Sequence, residues 1–393
     1  MKSLNFFQII LILFVYTFLV SCGREASSPS TFNNNTSEHY IVLLNTSKAD
    51  NSLSASNVDY FVRAFIQRNN IPSSNVTYIY KKAVVGFAAY LSNELVQRLS
   101  KQPEVKLIEK DQIVSLPPFE VIEENPKADK TLAQTTPWGI TAVGGYVNGS
   151  NITRIAWILD TGIDLTHSDL NVNTNLSRTF VRSGNDSRNA NDGNGHGTHV
   201  AGIIAARNNN IGVVGVCAGA QVVAVKVLSS NGSGYVSDIV AGLDYVAQNG
   251  NTNDVVNLSL GGSPSTSLDN AVTGCAQAGL IVVIAAGNSS ANAGNYSPAR
   301  VNGTNIYTVS AHNSSNVFAS FSNYGNPPVD YCAPGVNIYS TYRNGRYATM
   351  SGTSMAAPHV AGILLANNGS IYSRGYVSND PDGTADPLAS RTE

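Results

Sequence analysis

Within residues 39–116, short apolar runs flank helical stripes. The run 40–44 reads as a strand, and Val58, Phe61, Val62, Phe65 and Ile66 recur at three- and four-residue spacing, which gives one apolar helix face. Residues 75–80 and 84–91 read as two further strands, the second with Gly86 allowing a close backbone approach. Ser92 is placed to cap a helix to about residue 100, and 105–108 closes the pattern as a last strand. The order β-α-β-β-α-β predicts a small α+β ferredoxin-like sandwich.

Beyond residue 150 the rhythm changes. Continuous apolar runs at 155–159, 222–228, 255–260 and 280–285 alternate with helical stretches at 236–249 and 268–278. Strands that are apolar on both faces and alternate with helices predict an α/β doubly wound parallel sheet. In that architecture sites gather beyond the C-terminal ends of the strands, where Asp160, Gly261 and Asn288 fall. Residues 117–132 fit neither rhythm: Pro117, Pro118, Glu120, Glu123, Glu124 and Pro126 predict an extended, solvated linker. The tail after residue 367, with Asp380-Pro381-Asp382-Gly383, reads as turns.

A chain of 393 residues holds two such domains, one of them large. A net charge of −2 argues against nucleic acid as a partner, and the low charged fraction of 13% suits an extracellular surface. Lys2 followed by an apolar run at 6–20, too short for a membrane span, predicts a signal peptide over 1–21, with a Ser/Asn-rich tether at 22–38. Apart from Cys22, only Cys217, Cys275 and Cys332 remain, so at most one disulfide forms, and buried thiols acting as small hydrophobes are expected.

The candidate chemistry begins at Ser351-Gly352-Thr353-Ser354-Met355-Ala356-Ala357-Pro358-His359, a turn running into a helix. Ser354 falls at the helix N-terminus, where unpaired N–H groups favour negative charge, and Pro358 is expected within the first turn. Alone, such a turn reads first as a small-residue helix packed tightly in a core. Two further blocks, Asp160-Thr161-Gly162 and Gly195-His196-Gly197-Thr198-His199, supply the base and the carboxylate that a hydroxyl nucleophile needs. The order Asp, His, Ser is one of the convergent solutions to that requirement. Together with Ala285-Ala286-Gly287-Asn288, these blocks resemble the subtilisin-like serine proteases, the proteinase K branch included, over residues 133–366.

That resemblance implies that Asp160 orients His196, that His196 takes the proton of Ser354, and that the Asn288 amide and the Ser354 N–H hold the oxyanion. It places an extended substrate between Gly232-Ser233-Gly234 and Ser259-Leu260-Gly261, as an added strand. Ser259, Leu260, Gly261, Ala285, Ala286 and Gly287 would wall the pocket before the cut; none is acidic, so apolar or aromatic residues are expected there. His199 and His359 read as packing residues and Asp164 as a turn or surface carboxylate. The loop 207–213 resembles a subtilisin calcium loop, with Ca2+ held by the side chains of Gln134, Asp169 and Asn209 and the carbonyls of Arg207, Ile211 and Val213. No catalytic metal or organic cofactor is expected.

Residues 39–116, with the motifs at 85–89 and 105–111, resemble the subtilase inhibitor propeptide, an intramolecular inhibitor and folding assistant. The segment 133–139 resembles mature subtilase N-termini, which sets processing at Leu132/Ala133 and the peptidase domain at 133–393; a cut nearer Pro117 is the other option. The signal peptide ends like a bacterial lipobox, with Cys22 lipidated, or as an ordinary signal peptide with an incidental cysteine. The expectation is thus an exported serine endopeptidase made as a zymogen. Its precursor would touch the membrane only through lipid on Cys22, and the mature enzyme would be an extracellular monomer acting on polypeptides. A catalytically silent peptide-binding protein and an esterase are the competing classes.

Overall fold

The computed structural model describes residues 37–45, 55–116, 121–125 and 133–393. The expected signal peptide, Cys22 and Leu132 lie outside them.

The first domain runs β1 (Glu38–Leu44), α1 (Ala55–Arg68), β2 (Val76–Tyr80), β3 (Gly86–Leu91), α2 (Asn93–Leu99) and β4 (Val105–Lys110). Its antiparallel sheet has the order β2-β3-β1-β4, so the predicted ferredoxin-like pattern is present. Period-two alternation divides β1 between two cores. Tyr40, Val42 and Leu44 pack with Val58, Val62, Phe65 and Ile66 of α1, while Ile41 and Leu43 face the large domain. Gly86 is needed because a Cβ there would collide with the Val42 carbonyl. Ser92 caps α2 by accepting the Leu95 N–H at 3.3 Å.

The large domain is built on parallel strands in the order Gln221–Lys226, Ala156–Asp160, Val255–Leu258, Ile281–Ala285, Ile306–His312 and Val329–Pro334. Alternate residues again feed opposite faces. Ala156 and Ile158 join the core beneath the helices His196–Ala205 and Thr353–Ala366, and Trp157 and Leu159 join the core of Val236–Asn249 and Thr266–Gln277. This is the doubly wound α/β sheet that the apolar runs predict.

Two expectations are corrected. The linker is not simply solvated: Val121–Asn125 is a third strand on the hairpin Ile338–Tyr342/Arg346–Met350. An acidic, proline-flanked segment shows no apolar alternation in sequence; its main chain pairs with Arg346–Met350, and Val121 packs against the large core. The tail is also more than turns, because Pro387–Ser390 and Tyr372–Tyr376 extend the main sheet at its far edge. Cys217, Cys275 and Cys332 are free and buried, as expected of small hydrophobes, and burial pushes the Cys217 thiol up to about 12.

Candidate active site

Asp160 ends its strand fully buried, and both carboxylate oxygens lie 2.9 Å from His196 Nδ1. This contact fixes the imidazole proton on Nδ1 and leaves Nε2 as the basic nitrogen. His196 opens its helix directly after Gly195, whose φ of 113° is left-handed and favours glycine. Asp192 clamps the pair from behind. It accepts the N–H groups of Asn194, Gly195 and Thr198 and the hydroxyls of Thr198 and Thr161, so one carboxylate ties the residue after Asp160 to the turn carrying His196. Nothing in the sequence pattern marks Asp192 for this.

Ser354 is the second residue of the helix Thr353–Ala366, and that helix packs against His196–Ala205. Its Oγ donates to the Ser259 carbonyl at 3.2 Å. Pro358 lies beyond the first turn, one step deeper than expected, and cannot donate to the Ser354 carbonyl. Ser259 Oγ donates to that carbonyl instead, at 2.9 Å, which repairs the helix and joins it to the Leu258 strand end. Asn288 Oδ1 accepts the N–H and hydroxyl of Thr353 at 2.9 and 2.8 Å, which turns Nδ2 toward Gly352, where a Cβ would come within 3.1 Å of it. Asn323 braces the Asn288 loop, donating to Ala286 and accepting from Ser289 and Ala291.

A cavity of about 280 Å³ opens beside Ser354, lined by Leu260, Gly261, Ala285, Ala286, Gly287 and Asn288 among others, with Tyr296 and Ala299 in its wall. No charged side chain lines it. Of the expected wall residues only Ser259 is absent from the lining, because its hydroxyl is spent on the Ser354 carbonyl. His199 and His359 are fully buried, and burial pushes both down to about 3; His199 Nε2 reaches the carbonyls of Ile338 and Ala348, and His359 Nδ1 that of Met355. Asp164 is a turn carboxylate but not a surface one: it is buried and accepts the N–H groups of Thr166 and Gly345.

The tail of the first domain occupies the cleft. Ile113–Ser115 pairs antiparallel with Ser233–Tyr235, Leu116 N–H donates to the Gly232 carbonyl at 2.8 Å, and Ser115 lines the cavity with Ser354. Val114 is buried, and a Cβ on Gly262 would meet its side chain. Two acids just upstream sit at helix N-termini, where the dipole favours them. Asp111 accepts the N–H and hydroxyl of Ser237 at 3.0 and 2.6 Å, and Glu109 accepts the Ser267 N–H at 2.7 Å. The large domain reciprocates: Asp244 accepts the successive N–H groups of Lys81, Lys82 and Ala83 at 2.7–3.0 Å.

The expected calcium ligands also converge. Gln134 Nε2 reaches the carbonyls of Arg207 and Val213 at 2.6 and 3.1 Å, Asn209 Nδ2 reaches Asp169 at 2.7 Å, and Ile211 joins through its N–H to Asn209 Oδ1. Burial pushes Asp169 up to about 6, an expensive carboxylate for a site without a cation. Turning over the two amides presents oxygen in place of nitrogen, so the donor set fits a hard cation. Among the described residues no three His, Cys, Asp or Glu side chains form a metal cluster, and this set needs only one carboxylate.

Comparison with known proteins bears on this geometry. The Subtilase family profile matches residues 154–367 and the Peptidase inhibitor I9 profile matches residues 39–117. The chain belongs to the subtilase family. It is 44% identical over 309 residues to an alkaline protease of Alkalihalobacillus alcalophilus, covering 76% of this chain and 74% of that one. Subtilisin Savinase of Lederbergia lenta is 46% identical over 267 residues, 66% of this chain and 94% of its own. A cold adapted subtilisin-like serine proteinase of solved structure is 36% identical with a TM-score of 0.57, covering 65% of this chain and 98% of that one. This subtilase is therefore a serine protease, a hydrolase acting on peptides, with an intramolecular inhibitor of the I9 type; the silent binding protein falls away.

Proposed function

We propose that this subtilase is an exported serine endopeptidase made as a self-processing zymogen, with Asp160, His196, Ser354 and Asn288 as its machinery. The buried Asp160–His196 pair at the strand end carries the reading. Ser354 Oγ attacks the peptide carbonyl carbon as its proton passes to His196 Nε2. The oxyanion is held by Asn288 Nδ2 and the Ser354 N–H. The leaving amine takes the proton from His196, and water then hydrolyses the acyl group on Ser354 by the same steps in reverse roles. Replacing Asn288 by Ala is expected to lower kcat about 10²–10³-fold with little change in KM, as loss of the equivalent donor does in subtilisin.

The substrate follows the path of Ile113–Leu116, between Gly232-Ser233-Gly234 and Ser259-Leu260-Gly261. The uncharged cavity wall favours an apolar or aromatic residue before the cut. The domains are a signal peptide at 1–21, a tether at 22–38, the inhibitor domain at 39–116, a processed linker at 117–132 and a monomeric peptidase at 133–393. Cys22 carries lipid, so cleavage at Leu132/Ala133 frees the mature enzyme from the membrane. Intact mass over time tests this on chain made without the signal peptide. Wild type is expected to fall to a species starting at Ala133, with Ser354→Ala left whole; equal cutting of both would assign processing to another protease.

Gln134, Asp169, Asn209 and the carbonyls of Arg207, Ile211 and Val213 hold a structural calcium ion, which neutralises the buried Asp169 and pins the 207–213 loop. At calcium a hundredfold above Kd the stabilisation is about 2.7 kcal/mol, so chelation is expected to lower Tm by about 5–10 °C. Asp169→Asn should melt at one temperature with or without calcium; a variant that still responds would move the site elsewhere.

A further inference from the structure

The strand Arg346–Met350 has two edges. Ile338–Tyr342 covers one, and Val121–Asn125 covers the other, with Tyr347 opposite Asn125, Ala348 opposite Glu124, Thr349 opposite Glu123 and Met350 opposite Val121. Met350 stands four residues before Ser354. On the other side of the cleft, Ile113–Ser115 pairs with Ser233–Tyr235. The proregion therefore enters on one side of Ser354 and leaves on the other, and only residues 117–120 lie between Leu116 and Val121, a reach of at most about 18 Å.

This is the direction in which a substrate must lie, acyl side first and leaving side after. For a substrate laid along this path with its cut at the level of any bond between residues 117 and 120, the second to fourth residue after the cut takes the place of Val121 and the sixth to eighth that of Asn125, wherever the proregion itself is processed. When the proregion departs, a row of main-chain donors and acceptors on Arg346–Met350 loses its partner, and such an edge recruits another extended chain.

We propose that Arg346–Met350 is a binding strand for the leaving side of polypeptide substrates, which add to it antiparallel as Val121–Asn125 does, with acidic residues favoured. The occupant in the precursor places Glu123 and Glu124 on this edge, and the hairpin carries Arg343 and Arg346. The inference rests on the protease reading and on removal of the proregion. It makes the enzyme select extended, unfolded chains on the leaving side of the cut as well as on the acyl side.

The test uses mature enzyme and fluorogenic peptides that share one acyl side and differ after the cut. A nine-residue leaving side with Glu at the pairing positions is expected to give a KM about tenfold below that of a three-residue one, with kcat little changed. N-methylation of the backbone at residues four, six and eight after the cut, which leaves the side chains intact, should abolish the gain. Exchange of Glu for Lys should weaken it in a salt-dependent way, and Arg346→Glu should reverse that order. A methylated peptide that binds like its parent, or no gain with length, overturns the binding strand; equal binding of Glu and Lys overturns the acidic preference. The three-residue peptide reports proteolysis by itself, so if it too is left uncut the protease reading fails, whereas its cleavage without a length effect removes the binding strand alone.

Discussion

Replacing His196 by Ala is expected to lower kcat about 10⁶-fold while KM changes little, the scale of loss seen in subtilisin when the base or the nucleophile alone is removed. The structure supplies the physical reason. Ser354 Oγ sits at a helix N-terminus and donates to the Ser259 carbonyl, which cannot carry a proton away. His196 is 1% exposed, and Asp160 holds its Nδ1 at 2.9 Å, so no solvent base can take the imidazole's place without a cavity first filling with water. Asp160→Asn should cost less, about 10⁴-fold, because the amide keeps the geometry but offers the wrong group to Nδ1. The double variant His196→Ala/Ser354→Ala should be no slower than either single one, since the residues act as a unit. The measurement is kcat on a short peptide anilide, with the variants matured by an unrelated protease; a loss near 10²-fold would mean that another group takes the proton.

Much of this architecture is readable from apolar periodicity, because buried parallel strands such as 155–159 and 280–285 bury both faces and leave continuous runs. Asp160, Asn288 and Ser354 stand out as candidates for a related reason: each follows such a run or opens a helix, where a short motif differs from its surroundings. What stayed hidden acts through main-chain groups or through pairing across long separations. Asp192 serves the site by accepting three N–H groups of its own turn, and Asp in a Gly- and Asn-rich loop reads as an ordinary turn former. Val121–Asn125 has no apolar stripe to betray it, since its pairing with Arg346–Met350 runs through main-chain groups that any sequence carries. Pro358 reads as a first-turn residue because the hydroxyl of Ser259, which lets it sit deeper by rescuing the freed carbonyl, lies 95 residues away in sequence. The acids that join the two domains, Glu109, Asp111 and Asp244, look in sequence like solvated surface charges.

Asp244→Ala is expected to weaken inhibition by the proregion about 10²–10³-fold while leaving kcat/KM of the mature enzyme unchanged. The carboxylate stands in the middle of the helix Val236–Asn249 and is 2% exposed beneath the proregion. It receives the N–H groups of Lys81, Lys82 and Ala83, which follow β2 and point together at one anion. Burial raises the Asp244 carboxyl above the usual range, and these three N–H donors and Gln248 act against that rise. Hydrogen bonds to a charged group contribute about 1.5–3 kcal/mol each, and cutting one side of such a charged contact costs about 2–5 kcal/mol in total, most of it at the buried N–H of Ala83, which loses its acceptor. Gly274 makes that close approach possible: any side chain there would strike the Ala83 carbonyl. Asp244→Asn keeps one acceptor oxygen and should fall between wild type and Ala. The readout is Ki for added proregion against mature enzyme, together with the delay between processing and the first activity; the delay should shorten in the same order as Ki rises. An unchanged Ki would mean that the helix caps at Asp111 and Glu109 and the paired tail Ile113–Ser115 hold the inhibitor by themselves, with the turn at 81–83 contributing only shape.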